Sequence, residues 1–287
     1  MLRLTELSRR AFALGLALLV VVPGVHAQAP VAQPPAAPAP ARDPDRRLNV
    51  SQPDFTLAAL PTNLRVARGK FAFRVTHRFA RPLGEGDVGN LLEDFFGFDS
   101  GAQIGLELRY GLLPGLQVGV HRTSDRTIQL FTQYALTRQE TFPLGLSLWA
   151  SADGTNNFRD SRTPAIGVVV SRELGDRGAV YVEPMWVNNT NPLPSALADD
   201  NNTFMIGIGS RLRLTRAVYL TAEVSPRISG HAPGDALLSV GVERRAGGHL
   251  FSINVSNGFG TTLGQVARGG TSFDDWYIGF NISRKFY

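Results

Sequence analysis

Ionisable side chains that could do chemistry fall in three places along the 287 residues. The first is a set of charges spaced along otherwise apolar segments: Arg74, Glu107, Arg109, Glu183, Arg211, Glu223 and Glu243. Such a set can form a paired, rigid network, or line a wet passage that selects ions and small polar solutes. The second is His77, flanked by Thr76, Arg78 and Phe79, which could act as the base of a lipid-cleaving Ser/His enzyme. No G-x-S-x-G or H-E-x-x-H frame accompanies it, so a side chain packed against Phe79 at an interface is the better reading. The third is the acidic loop 81–101, with Glu85, Asp87, Glu93, Asp94 and Asp99. Its spacing does not match a calcium loop, and it reads as solvated. No metal, cofactor or catalytic residue is therefore expected, and the chain is not expected to be an enzyme.

The elements that would carry these charges are short segments of strict apolar/polar alternation from residue 70 to the end. Period-two alternation gives a strand one greasy face and one wet face. Twelve strands are predicted, near 70–80, 102–113, 116–124, 126–138, 142–153, 163–174, 178–189, 201–214, 217–228, 235–246, 249–258 and 274–286. Each reaches the ~9–11 residues a tilted strand needs to cross a bilayer. The apolar register includes Ile104/Leu106/Leu108, Ile166/Val168/Val170 and Ile278/Phe280/Ile282, while the charges above occupy the opposite register. A charge on the lipid side costs ~2–4 kcal/mol at mid-depth, so the charged face is assigned inward. Aromatics gather at strand ends, at Phe79, Tyr110, Tyr134, Phe142, Trp186, Trp276 and Phe286, as interfacial girdles require. The fold class is all-β: a closed, up-and-down, antiparallel transmembrane barrel. Pro184 removes a ladder donor in strand seven, and a β-bulge near 183–185 is the expected remedy.

Composition agrees with export. Residues 1–27 read as a signal peptide: Arg3, Arg9 and Arg10 precede an apolar core, and Val25-His26-Ala27 is a small-residue cleavage site. Arg9-Arg10 resembles a twin-arginine signal, but an ordinary positive n-region suits a barrel exported unfolded. There is no cysteine, which excludes a lipobox, disulfides and thiolate metal sites. The net charge of +5 shows no nucleic-acid stripe. Residues 28–62, rich in Pro and Ala, read as a disordered periplasmic tether, either a spacer or a grip for a periplasmic partner. The piece 55–60 is apolar enough to tuck against the barrel entrance. The barrel itself is placed at 63–287. In loop 81–101, Asn90 to Phe96 could form a short amphipathic turn that constricts the mouth.

Several stretches resemble a family of membrane-bound β-barrels known as domain of unknown function 5777. They are Phe71 to Phe79, Phe95 to Asp99 running into Ile104-Gly105-Leu106, Gln117 to Val120, Gly247 to Phe251 and Tyr277 to Arg284. The resemblance spans nearly all of 64–287 and implies a bacterial outer-membrane barrel, with no activity or ligand to carry over; the Pro/Ala segment looks like an addition to it. The end of the chain, Phe286-Tyr287, is similar to the signal read by the barrel-assembly machinery, displaced by one residue. The expected location is the outer membrane, with its lipids as partners. The expected function is a narrow conduit for ions or small polar solutes. A non-conducting structural or interaction barrel stands second, and a lipid-modifying enzyme centred on His77 third.

Overall fold

In the computed structural model, residues 43–93, 101–194 and 197–286 are described. The signal peptide, the Pro/Ala run up to residue 42 and the acidic positions Asp94 and Asp99 lie outside them. Among the described residues thirteen strands make one antiparallel sheet. In chain order they are β1 Phe71–Phe79, β2 Ala102–Leu113, β3 Leu116–Thr123, β4 Ile128–Ala135, β5 Gly145–Gly154 and β6 Arg162–Glu173. They continue as β7 Gly178–Asn188, β8 Asn202–Arg213, β9 Val218–Ser225, β10 Arg227–Gly230, β11 Leu237–Ala246, β12 His249–Ser256 and β13 Tyr277–Lys285. Twelve of them close an up-and-down barrel, because β1 pairs with both β2 and β13 and β8 pairs with β9. β10 adds no wall: it prolongs β9 beyond Pro226 in the same register against β8 (Ile208↔Val224, Met205↔Arg227), with a register shift between Arg227 and Ser229 before its last two pairs.

The outward register is apolar and exposed, as lipid contact demands. Leu106 is 52% accessible, Ile166 60% and Ile253 68%, and none of these meets a partner across the interior. In a soluble sandwich the same side chains would be the core. Among the described residues no helix is long and apolar enough to cross a membrane.

Two local expectations are corrected. β7 runs through Pro184 with no bulge: the register is continuous on both sides, and only the β6 ladder skips positions 168–169 opposite Glu183 and Pro184. Gly167 gives the room, since a Cβ there would collide with Met185 and the Pro184 carbonyl. The connection from β4 to β5 is nine residues, 136–144, not a tight turn, although Leu136 N–H still donates to Leu146 O at 2.8 Å. The helix in loop 81–101 is α1, Val88–Glu93, with Leu92 56% exposed, and the rest of the expected 90–96 turn lies outside the described residues.

The largest correction concerns the segment read as a tether. Residues 54–66 are inside the barrel, with Leu57, Leu60 and Val66 at 0–1% exposure. Phe55 to Thr62 form a tight hairpin: Leu57 N–H donates to Leu60 O at 2.8 Å, and Thr62 N–H to Phe55 O at 2.8 Å. The disordered assignment therefore fails over Ser51 to Thr62, most of which is buried in the same compact unit as the strands. The physical reason is that a twelve-stranded wall encloses more space than its own side chains fill, and an apolar turn can then be buried even beside a Pro-rich stretch.

Candidate functional site: a plugged lumen

The hairpin enters from the end where the short turns lie and is gripped mainly at its peptide groups. Its tip, Ala58-Ala59, sits at mid-barrel. Arg74 Nη2 donates to Ala58 O at 2.5 Å, and Arg78 Nη2 reaches the same oxygen at 3.1 Å. On the other side of the tip, the Glu223 carboxylate accepts from the N–H of Ala59 (2.9 Å) and of Leu60 (3.0 Å). Arg211 Nη2 donates to Thr56 O at 2.6 Å, and Gln133 Nε2 to Thr62 O at 2.8 Å. Gln117 works both ways, donating to Leu64 O and accepting from Val66 N–H, each at 3.1 Å. Asn63 binds β5 and β6: its amide donates to Gly145 O at 3.0 Å, Val169 O at 3.1 Å and Ser171 Oγ at 2.8 Å, and it accepts from Ser147 Oγ. Buried peptide groups need such partners, and here the strands' side chains supply them.

All seven charged positions singled out from the sequence point to the axis, and each is at most 4% exposed. A wet pore would leave them accessible. Glu107 is paired by Arg74 (3.4 Å) and by Arg109, whose guanidinium also lies 4.6 Å from the Phe131 ring centroid and 5.3 Å from that of Phe55 in the plug. Arg211 and Glu243 make a two-pronged pair at 2.7 and 2.9 Å. Glu223 answers the plug. Glu183 differs: fully buried, it has no hydrogen-bond partner on either oxygen. A buried, unsatisfied acceptor costs about 1–3 kcal/mol. Glu183→Met is therefore expected to raise the unfolding midpoint in detergent and urea by that amount of free energy. An unchanged or lower midpoint would show that Glu183 has a favourable partner.

Sequence reasoning missed that one inner wall is apolar. Phe131, Trp149, Val169, Tyr181, Met185 and Met205 form one cluster that also takes in Leu57 and Leu60 of the plug. Phe131 and Trp149 stack at 4.9 Å. The visible signal was aliphatic residues in both registers of β6 and β7, such as Val168-Val169-Val170.

The long-loop end is filled by a second helix, α2, Leu263–Arg268, whose Leu263, Val266 and Ala267 join the same cluster. A capping box of Thr262 and Gln265 starts it, and that T-x-x-Q spacing was the available sequence signal. Asp153 of β5 accepts from Thr262 Oγ1 at 2.5 Å and from Gly264 N–H at 2.9 Å, tying the helix to the wall.

At the short-turn end the base of the plug and the strand ends frame a polar cleft of about 420 Å³, lined in part by Asp45, Gln52, Arg65, Arg138 and Glu173. Asp45 pairs with Arg138 at 3.1 Å. Burial pushes the Asp45 carboxyl above its ordinary value, with Arg138 opposing. Burial likewise lowers Arg65, and the neighbouring Arg138 adds to it. Glu173 is taken up by Asn49 Nδ2 and Gln52 Nε2. No cluster of acidic, His or Cys side chains able to hold a metal occurs among the described residues.

The aromatic positions form two belts. Tyr110, Tyr134, Phe142 and Phe286 lie at the short-turn end, with Tyr134, Phe142 and Phe286 44–49% exposed. Phe79, Trp186 and Trp276 lie at the long-loop end, where Trp186 is exposed but Phe79 is only 4% so. Phe79 packs with His77 (4.3 Å) and Phe280 (6.2 Å). His77 itself stacks on Phe280 at 4.8 Å, and its Nδ1 has no hydrogen-bond partner.

A closed sheet with a greased exterior and a lumen occupied by its own chain defines a plugged membrane β-barrel. The chain matches the membrane bound beta barrel domain (DUF5777) over residues 54–286 and belongs to that family. The match begins at Asp54, so the hairpin is part of the family domain and not an addition to it. Among curated proteins, none matches. Among solved structures, the NanC porin superposes with a TM-score of 0.50 at 8% identity, covering 76% of this chain and all of that one. Two engineered variants of the Rh. blastica porin align at 14% identity with TM-scores of 0.35. They cover 64% and 70% of this chain, which spans only 55% and 58% of theirs. At such identities the likeness concerns the fold alone.

Proposed function

We propose that this is an outer-membrane conduit for ions or small polar solutes that its own N-terminal hairpin keeps closed. One observation carries the reading: the space enclosed by the twelve strands is occupied at mid-depth by residues 54–66, not by strand side chains alone. Withdrawal of that hairpin would leave Arg74, Arg211 and Glu223 facing a passage. The grip is spread over many hydrogen bonds to peptide groups, each worth only about 0.5–3 kcal/mol net, and their sum keeps the hairpin docked nearly all the time, so that release is rare. A second reading, a non-conducting structural barrel, is favoured by the apolar cluster that joins plug and α2. No catalytic role is proposed, because His77 is stacked on Phe280 and packed against a tilted Phe79 on the lipid face. The exposed Phe286 at the end of β13 supports recognition by the assembly machinery through that strand.

A disulfide lock tests the gate. A Cβ on Gly145 would lie 3.7 Å from the Asn63 Cβ, within the range a disulfide spans. The chain's lack of cysteine makes the pair unique. Asn63→Cys with Gly145→Cys is expected to abolish the brief openings of the wild type in planar bilayers when oxidised, and to regain them under reductant. Openings that persist in the oxidised protein would show that the hairpin is not the gate. Silence of every form, reduced and wild type included, would favour the structural barrel.

A further inference from the structure

The outer wall carries arginines in the lipid-facing register at the long-loop end of β3 to β6. Arg122 pairs with Ile128, Ile128 with Gly154, and Gly154 with Arg162, so one row crosses four strands with an exposed arginine at each end. Strands lie 4.7–4.9 Å apart, which separates the two Cα atoms by roughly 14 Å. Arg126, in the β3–β4 turn, and Arg159, in the β5–β6 loop, are exposed beside this row. None of the four forms an ion pair among the described residues. The adjacent carboxylates are occupied: Asp125 accepts from Thr127 N–H at 3.0 Å and Gln265 Nε2 at 2.9 Å, and Asp160 from Asn156 Nδ2 at 3.1 Å.

The floor between the arginines is built, not incidental. Asn156, Asn157 and Phe158 all have left-handed backbones, at φ 48°, 58° and 65°. Three such residues in succession without glycine are costly, and strain of this kind persists where surrounding structure imposes it. Here Asn157 N–H donates to Arg126 O at 2.8 Å, which stitches the two loops together. The effect is to lay the Phe158 ring over Gly154, where any Cβ would fall inside the ring. Ile128 and Phe158 thus make an apolar surface with cations on either side.

A cation on a lipid-facing strand is tolerated where headgroups begin, and there it favours an anion that offers planar, two-pronged acceptors. We infer that Arg122/Arg126 and Arg159/Arg162 form a site for an acylated bisphosphate headgroup of the lipid A type. One phosphate would sit at each arginine pair, and the acyl chains would run over Ile128 and Phe158. The inference rests on the outer-membrane placement proposed above but not on conduction.

Native mass spectrometry of the full-length protein from phosphatidylcholine micelles doped with lipid A tests it. The wild type is expected to retain lipid A about tenfold over phosphatidylcholine, and Arg122→Gln with Arg162→Gln to lose about that factor. Monophosphorylated lipid A should fall between. Arg172→Gln, an exposed arginine at the opposite end, should bind like wild type. Heat-modifiable migration verifies that each variant is folded. Equal retention by the double variant overturns the site. Complete displacement by millimolar inorganic phosphate would make it a site for free anions, not for lipid.

Discussion

Leu60→Glu is expected to turn a barrel that is almost always closed into one that conducts steadily. Leu60 is fully buried, and a Cβ on Gly207 would come within 2.9 Å of its methyls and 3.3 Å of the Glu183 Cβ. A carboxylate placed there loses the apolar burial of leucine and brings a second acid beside an unpartnered one. Burying an unpaired charge costs several kcal/mol. Taking about 4 kcal/mol, the ratio of docked to released hairpin shifts roughly a thousandfold. The strands are untouched, so heat-modifiable migration should persist while open probability in planar bilayers rises. Adding the oxidised 63–145 disulfide should restore closure. A folded Leu60→Glu barrel as silent as wild type would mean that the lumen stays blocked without the hairpin, with α2 as the remaining obstacle.

The second large effect is on stability. Arg211→Ala removes the two-pronged partner of Glu243 and the donor to Thr56 O together. What remains is a carboxylate at 1% exposure without its bonded cation. Breaking a buried pair from one side costs about 3–5 kcal/mol, whereas replacing both members by apolar residues of similar size is often neutral. Arg211→Ala should therefore lower the urea midpoint of unfolding in detergent markedly. The double change Arg211→Met with Glu243→Leu should recover most of the loss. A double variant as unstable as the single one would place the cost in the lost plug contacts, not in the orphaned acid.

The wall was legible because lipid imposes a simple rule. One register must be apolar over the membrane-spanning middle of each strand, so Leu106, Ile166 and Ile253 announce their side without knowledge of any neighbour. The inward direction of Arg74, Glu107 and Arg211 followed from the same rule. Strand ends came within a few residues, and Pro184 misled because a ladder gap opposite Gly167 serves as well as a bulge. His77 could be weighed from Phe79 beside it, but its stack on Phe280 depends on the β1–β13 closure.

What filled the barrel was not legible. Phe55 to Leu60 are six mostly apolar residues beside a Pro/Ala-rich stretch, which suggested a place at the barrel entrance, but nothing local put them at mid-lumen. Their burial depends on Glu223, Arg74 and Gln133, up to 164 positions away in the chain and gathered around one hairpin only when the sheet closes. The sequence alone determined the membrane-facing shell, since alternation is local and each strand meets the same solvent. Only the tertiary structure decided whether that shell is open, because occupancy of a lumen is set by what twelve strands enclose together and by which stretch of chain can satisfy its peptide groups inside.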